Sequence, residues 1–312
     1  MIIIITVNKK PLVTAIVTIY NRPVSIVRRA LMSVIKQSYA NIEIILVNDC
    51  PEKEALKEEL YNLVTELSDD KKIIKYIVMS ENGGACKARN EGIKQSNGEY
   101  IACLDDDDEW FEKKIELQVN AIDGKSEVGL VYCNARYCYL NSGKERDAFE
   151  NPQKSGNIYK SVLGKNIGSC SFILFKKENL VKVGGFNEEM PAMQDWEAIL
   201  MVLKCSQAAY IHEPLIKYYF YEGERISNHP ERRYKAYCML YEEFKADLNN
   251  SYPSSLSQFY SLGSKVCCEN RFIISAIKYW LKSCFYNPIN IRLHIKDLAR
   301  IILRIFCKPK IS

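Results

Sequence analysis

Apolar runs alternate with amphipathic stretches through the first third of the chain. Val13–Ile19 is continuous and largely β-branched, the composition of a strand covered on both faces. From Val24 to Gln37 the apolar positions Val27, Leu31, Val34 and Ile35 recur at helical spacing. The alternation then repeats, with a strand over Ile42–Val47, a helix over Lys53–Leu67 and a strand over Ile73–Met79. Gly83-Gly84 opens a third helix reaching Gln95, and Glu99–Leu104 is the fourth strand. This order predicts an α/β fold with a mostly parallel central sheet and helices on both faces.

The pattern loosens after a helix over Glu112–Ala121. Strands are predicted at Val128–Ala135, Cys170–Phe175 and Ala208–His212, with a turn at Asn141-Ser142-Gly143 and an aromatic run at Tyr218–Tyr221. A helix covers Gln194–Cys205. From Pro230 onward the chain reads as helices over Glu231–Asp247, Leu256–Glu269, Phe272–Phe285 and Ile291–Phe306.

Polar residues gather where the early strands end: Thr18 to Arg22, Asp49, and the run of five acids Asp105–Glu109 in YIACLDDDDEW. Open α/β sheets bind ligands at those ends. Five adjacent carboxylates repel one another unless something neutralises them. A divalent cation such as Mg2+ or Mn2+ does so with oxygen ligands and keeps positions open for substrate phosphates. The competing reading is a solvated acidic turn before a helix. Asp49 could equally cap the second predicted helix, Asp195 could cap the helix it precedes, and Trp110 and Trp196 could simply pack.

Composition narrows the class. With 47% hydrophobic and 26% charged residues the chain can bury a sizeable core. The 12 cysteines are scattered without a CxxC pair, and only three histidines occur, so neither a disulfide framework nor a zinc site is expected. Ile2–Ile5 is too short for a secretory signal core, and no run reaches the ~18 apolar residues of a membrane span. The net charge of +5 is concentrated in 291–312, which hold six Lys/Arg and one acid, Asp297; the remainder balances, so no field for nucleic acid is expected.

In order along the chain stand VTAIVTIYNRP, SVIKQSYANIEIILVND, NGGACKARNEGIKQSNGEYIACLDDDDEW, VGGFNEEM and QDWEAILMVL. Together they resemble the family 2 glycosyltransferases of the GT-A fold, of the type that assembles bacterial surface polysaccharides. The resemblance covers roughly 11–227. It implies a metal-dependent, inverting transfer of a sugar from a nucleotide-diphosphate donor, a UDP-sugar by family habit, to a hydroxyl of a glycan or lipid-linked saccharide. It implies a catalytic domain over 1–229, with a nucleotide-sugar half at about 11–110 and an acceptor half at about 111–229, and a helical extension over 230–312. Thr18, Tyr20, Arg22, Asp49, Gly84, Arg89, Asp105, Asp106 and Arg225 would bind the donor, Asp107 and Asp105 the metal, and Asp195 would be the general base. Two positions depart from the family pattern: Gln194 stands in place of an acid, and Tyr221 in place of a histidine.

In Ile291–Phe306, Arg292, Lys296, Arg300 and Arg304 recur every four residues, with Ile291, Ile295, Leu298, Ile302 and Ile305 on the other side. Such a helix suits an anionic membrane surface, and a cytoplasmic protein touching the inner face of the plasma membrane through 291–310 is expected. The alternative is a helix packed on the domain with its basic face solvated. Two other functions share the predicted fold. A sugar-phosphate nucleotidyltransferase needs a Gly-rich loop after the first strand, and Tyr20-Asn21-Arg22-Pro23 contains no glycine. A non-catalytic sugar- or partner-binding protein would have no need of Asp107 and Asp195.

Overall fold

Val13, Ala15, Ile16 and Val17 are all fully buried, so the strand they form is covered on both faces, as its unbroken apolar run requires. That strand is β1 (Val13–Ile19) of a computed structural model that describes residues 10–69, 72–220 and 229–306. On one side β1 pairs in parallel with β2 (Ile42–Asn48), which pairs in parallel with β3 (Ile74–Val78); on the other it pairs in parallel with β4 (Tyr100–Asp105). The crossovers are α1 (Val24–Ile35), α2 (Glu54–Leu67) and α3 (Gly84–Lys94). Helix α1 buries Val27, Ala30, Leu31 and Val34, the face its periodicity predicts. Helix α3 lies close on β1 because Gly92 has no side chain: a Cβ there would stand 2.6 Å from Cγ2 of Ile16. The register sets Thr18 beside both Val47 and Asp105, which brings the polar strand ends level.

Beyond β4 the sheet changes direction. After the short β5 (Glu109–Trp110) and α4 (Lys114–Ile122) come β6 (Val128–Tyr139), its hairpin partner β7 (Lys144–Asp147), β8 (Ile173–Lys176) and β9 (Gln207–Phe220). The order is β3-β2-β1-β4-β8-β6-β9-β5, with β8 antiparallel to β4 and β6, and β9 parallel to β6.

Two sequence expectations change here. The strand predicted over Cys170–Phe175 begins as a 3-10 turn, Cys170–Phe172. Its polar groups are satisfied by other elements: the Phe172 carbonyl accepts from Gln118, and the Ser171 hydroxyl accepts from the backbone N–H of Asp105. The strand at Ala208–His212 and the aromatic run as far as Phe220 form one element, because an irregularity pairing Asn134 with Pro214 lets the ladder continue past a residue that cannot donate.

The chain divides into two units, each described by itself. The first comprises the described residues of Met1–Gly156, Gly168–Phe186 and Ser206–Tyr221, that is, the sheet with α1 to α4 and α6 (Lys177–Lys182). The second is helical: α5 (Tyr159–Val162), α7 (Gln194–Leu203), α8 (Pro230–Asn249), α9 (Pro253–Glu269), α10 (Ile273–Tyr286) and α11 (Ile291–Phe306). Pro230 and Pro253 open their helices where a missing N–H does no harm. Tyr237 of α8 stacks on Phe259 of α9 with ring centroids 4.8 Å apart, both buried. The described cysteines are all free thiols. Among the described residues no helix is long and apolar enough to cross a membrane.

Candidate active site

The site is built at the C-terminal ends of β1, β2 and β4. Strand β4 stops at Asp105, and a tight turn follows, in which the N–H of Asp108 donates to the Asp105 carbonyl at 3.1 Å. The acidic run therefore leaves the pleat, and neighbouring carboxylates reach different partners. Asp105 accepts from Nη2 of Arg89 at 2.7 Å. Asp106 accepts from Nε of Arg22 at 2.9 Å and from the N–H of Tyr20 at 3.3 Å. Asp107 receives Nη2 of Arg22 at 3.4 Å, and its carbonyl accepts from Arg29 at 2.6 Å.

Arg22 reaches this position because β1 ends in a turn where Asn21 takes φ 47°, a left-handed conformation that asparagine tolerates well. Pro23 then starts α1 with its fixed φ. Arg89 comes from the buried side of α3 and lies 5.5 Å from the Phe186 ring centroid. Burial pushes the Asp106 carboxyl up to about 7; the Arg22 guanidinium opposes that shift and the charge of Asp107 adds to it.

Asp49, at the end of β2, does not cap the second helix. Its carboxylate accepts from the backbone N–H groups of Gly83 and Gly84, both at 2.7 Å, and from the Asn82 amide at 3.1 Å, so it caps α3. Burial raises its pKa, and the two backbone N–H groups pull it back. Gly84 has φ +81°, which a residue with a side chain rarely adopts, and the space where a Cβ would stand is open. Thr18 and Tyr20 complete the rim, Tyr20 being 56% exposed.

The first unit thus brings together Thr18, Tyr20, Arg22, Asp49, Gly84, Arg89, Asp105, Asp106 and Asp107. Asp195 belongs to the second unit. It is not an N-cap: Met193 holds that position, and Asp195 lies in the first turn of α7, its Oδ1 accepting from the Trp196 N–H at 2.8 Å. An acid there is favoured by the helix dipole. Trp196 and Trp110 are each 3% exposed, so both are packing residues. Arg225 and Tyr221 lie outside the described residues.

Several participants were not assigned a role from the sequence. Arg29 holds the acidic turn by its carbonyl and lies 4.0 Å over the Tyr219 ring, whereas its neighbour Arg28 pairs on the surface with Glu66. Glu109 accepts from Tyr219 at 2.9 Å and Lys217 at 3.3 Å. Only three-dimensional pairing distinguishes Arg29 from Arg28. Asn82 was the more legible, a turn-forming residue directly before two glycines.

Asp105 and Asp107 keep 29% and 15% of their side chains exposed, against 8% for Asp106. Among the described residues no three His, Cys, Asp or Glu side chains converge to hold an ion alone. Two hard oxygen donors fit Mg2+ or Mn2+ of the kind completed by substrate phosphates and water.

The sequence profile described as "Glycosyl transferase family 2" matches residues 14–184. Over 250 residues the chain is 27% identical to the putative colanic acid biosynthesis glycosyl transferase WcaA of Escherichia coli, covering 76% of this chain and 83% of that one. The crystal structure of S. aureus TarS 1-349 in complex with UDP-GlcNAc superposes with a TM-score of 0.60 at 18% identity, over 94% of this chain and 89% of that one. The mannosyltransferase PcManGT from Pyrobaculum calidifontis, in complex with GDP-Man and Mn2+, gives 0.59 at 17% identity, over 97% and 89%. At such identities the likeness concerns the fold, which is GT-A.

Proposed function

The chain belongs to glycosyl transferase family 2, and from that premise we propose that this glycosyltransferase moves a hexosyl group, with inversion, from a nucleotide-diphosphate sugar to an acceptor hydroxyl. The acceptor is a glycan or lipid-linked saccharide of bacterial surface polysaccharide, O-antigen or capsule, in keeping with the putative role of WcaA in colanic acid biosynthesis. The donor is a nucleotide sugar, like the UDP-GlcNAc bound to TarS and the GDP-Man bound to PcManGT, and among such donors a UDP-sugar is favoured by family habit.

The observation that carries this reading is the acidic turn after β4, whose carboxylates are held by Arg22 and Arg89 at the polar ends of β1 and β4. Carboxylates at the strand ends, backed by the buried Arg89 and the partly exposed Arg22, suit a diphosphate accompanied by a cation, because each charge then has a partner of opposite sign. Thr18, Tyr20, Asp49, Gly84 and Asp106 shape the nucleotide side, with Arg225 contributing from outside the described residues. Asp107, assisted by Asp105, would hold Mg2+ or Mn2+. That ion, when bound, would stabilise the charge developing on the departing diphosphate. Asp195 takes the proton of the attacking hydroxyl, a contribution of ~10²–10⁴-fold. No covalent intermediate is required.

The division of labour follows: a catalytic domain over 1–229, its halves at about 11–110 and 111–229, and a helical extension over 230–312. A lipid-linked acceptor would put the enzyme at the cytoplasmic face of the membrane, in contact through 291–310, of which 307–310 lie outside the described residues.

Calorimetric titration with UDP-, GDP-, CDP- and dTDP-sugars, with and without Mn2+, tests the reading on wild type and Asp107→Ala. Metal-dependent binding of one nucleotide, lost in the variant, is expected. Absence of binding to any of them would overturn it in favour of a non-catalytic protein.

A further inference from the structure

Helix α11 is amphipathic, and it packs by its polar side. His294, Asp297 and Ile301 are the buried positions, at 8%, 1% and 2% exposure. Asp297 accepts from the Ser261 hydroxyl of α9 at 2.5 Å and from Arg300 at 2.7 Å, and Arg304 donates to the carbonyls of Cys268 and Glu269 at the end of α9. Half of the basic stripe is therefore engaged within the unit. The apolar stripe is open: Ile291, Ile295, Leu298, Ile302 and Ile305 are 37% to 62% exposed.

Helix α10 behaves alike. It buries Ala276 and Ser283, while Ile274, Ile277, Leu281 and Phe285, at i, i+3, i+7 and i+11, are 37% to 86% exposed. Trp280 of α10 donates to the His294 carbonyl of α11, so the helices are neighbours, and the connection between them exposes Ile289 at 87%. Of the twenty large apolar side chains exposed among the described residues, thirteen lie in 272–306. Isolated exposed apolar residues are ordinary, but a concentration of this size on two adjoining helices marks an interaction surface.

We propose that α10 and α11 together are a monotopic membrane-docking surface, whose two apolar stripes lie in the headgroup–acyl boundary of an anionic bilayer. The charge around the stripes selects this occupant. Residues 270–306 contain seven Lys/Arg and one acid, and that acid is the buried, paired Asp297. Exposed Lys278 of α10 and Arg292 and Lys296 of α11 flank the stripes in sequence, where each gains from anionic headgroups, whereas Lys282 lies over the Tyr260 ring of α9 at 4.9 Å. A second copy of the chain would bring the same cations against them. At 14 and 16 residues, with regularly spaced charges, the helices suit lying in the interface and are too short to cross it. The inference deepens the membrane-contact reading, on which it rests for location, and replaces attraction through one basic tail with apolar insertion by two helices.

The test is co-sedimentation of the full chain with vesicles of equal parts phosphatidylglycerol and phosphatidylcholine, and of phosphatidylcholine alone. Wild type is compared with Ile274→Ser/Leu281→Ser and with Ile295→Ser/Ile302→Ser. Each pair is expected to weaken binding to the anionic vesicles about tenfold or more. Wild type should keep part of its binding at about 0.5 M salt, where exposed charges are screened within ~5 Å. Binding abolished by salt yet indifferent to the α10 pair would overturn the two-helix surface and leave contact through the basic tail standing. No binding of wild type to either vesicle, with an intact thermal transition, would sink both. A dimer dissociated by the same substitutions, in sedimentation velocity without lipid, would assign the face to a second copy instead.

Discussion

The turn after β4 and the surface of α10–α11 break the usual partition of charge and hydrocarbon in opposite ways. At the turn, carboxylates are drawn out of water, and Asp105 and Asp106 each meet an arginine. On α10–α11, isoleucine, leucine and phenylalanine face outward while Asp297 and His294 are buried. Buried charge is tolerated when its counter-charge is fixed by the same fold. Hydrocarbon left exposed among the described residues has no such remedy there, and the proposed docking surface assigns it a partner outside the chain. Departures from local consistency concentrate where a protein acts. The first region is accordingly read as chemistry and the second as attachment.

The largest effects test whether the acids serve turnover more than folding. Asp195→Asn and Asp107→Ala are each expected to lower transfer by ~10²–10⁴-fold in a donor-consumption assay, with the melting temperature nearly unchanged. An Asp107→Ala variant that unfolds early but transfers normally would turn the acidic run into a structural element. Next comes Arg22→Met, which strands Asp106 at 6% exposure without its guanidinium. Removing one partner of a buried pair costs about 3–5 kcal/mol, here toward the lower end because Asp106 takes up a proton readily. Urea unfolding should show the loss, and Asp106→Asn in the same chain should restore most of it.

A buried carboxyl in the second unit sharpens the contrast, because among the described residues no cation pairs with it. Glu197 of α7 is 4% exposed, its Oε2 makes no hydrogen bond, and burial, with the charge of Glu243, pushes its pKa up to about 7. The folded state therefore binds the proton more tightly than the unfolded chain, with its ordinary value of 4.5. The stability this confers is complete below that value and is lost as pH rises through about 7. The loss at pH 8 is on the order of 2–3 kcal/mol. Glu197→Gln should match wild type near pH 4 and exceed it at pH 8 by that amount in the unfolding free energy from urea titrations; equal pH profiles would mean that Glu197 is ionised in the folded protein.

The two regions were not equally legible. The strand ends could be read because a buried parallel strand leaves a long apolar run, and YIACLDDDDEW marks where it stops. What the acids touch was not readable: the resemblance marked Arg22 and Arg89 for the donor and not as partners of the acids, and Arg29 looks like any other arginine. Asp49 shows the same limit: its position was clear, yet it caps α3 and not the helix that follows it. For α11 the periodicity was plain and its orientation was not. A hydrophobic stripe says that one side differs from the other, and only packing on α9 decides which side is outward.

The smallest expected effect bears on that orientation. If the stripes are open, Ile274→Ser and Ile302→Ser remove hydrocarbon that is already in water in the folded chain, at 86% and 45% exposure. Little transfer energy is then lost, and each should change unfolding free energy by no more than ~0.5 kcal/mol in the absence of lipid. A cost of several times that would mean the stripe is covered within the folded chain, and the docking surface would not exist as an open face. The near-silence of these substitutions in solution, beside their expected weight on vesicles, separates residues that hold the protein together from residues that hold it to a membrane.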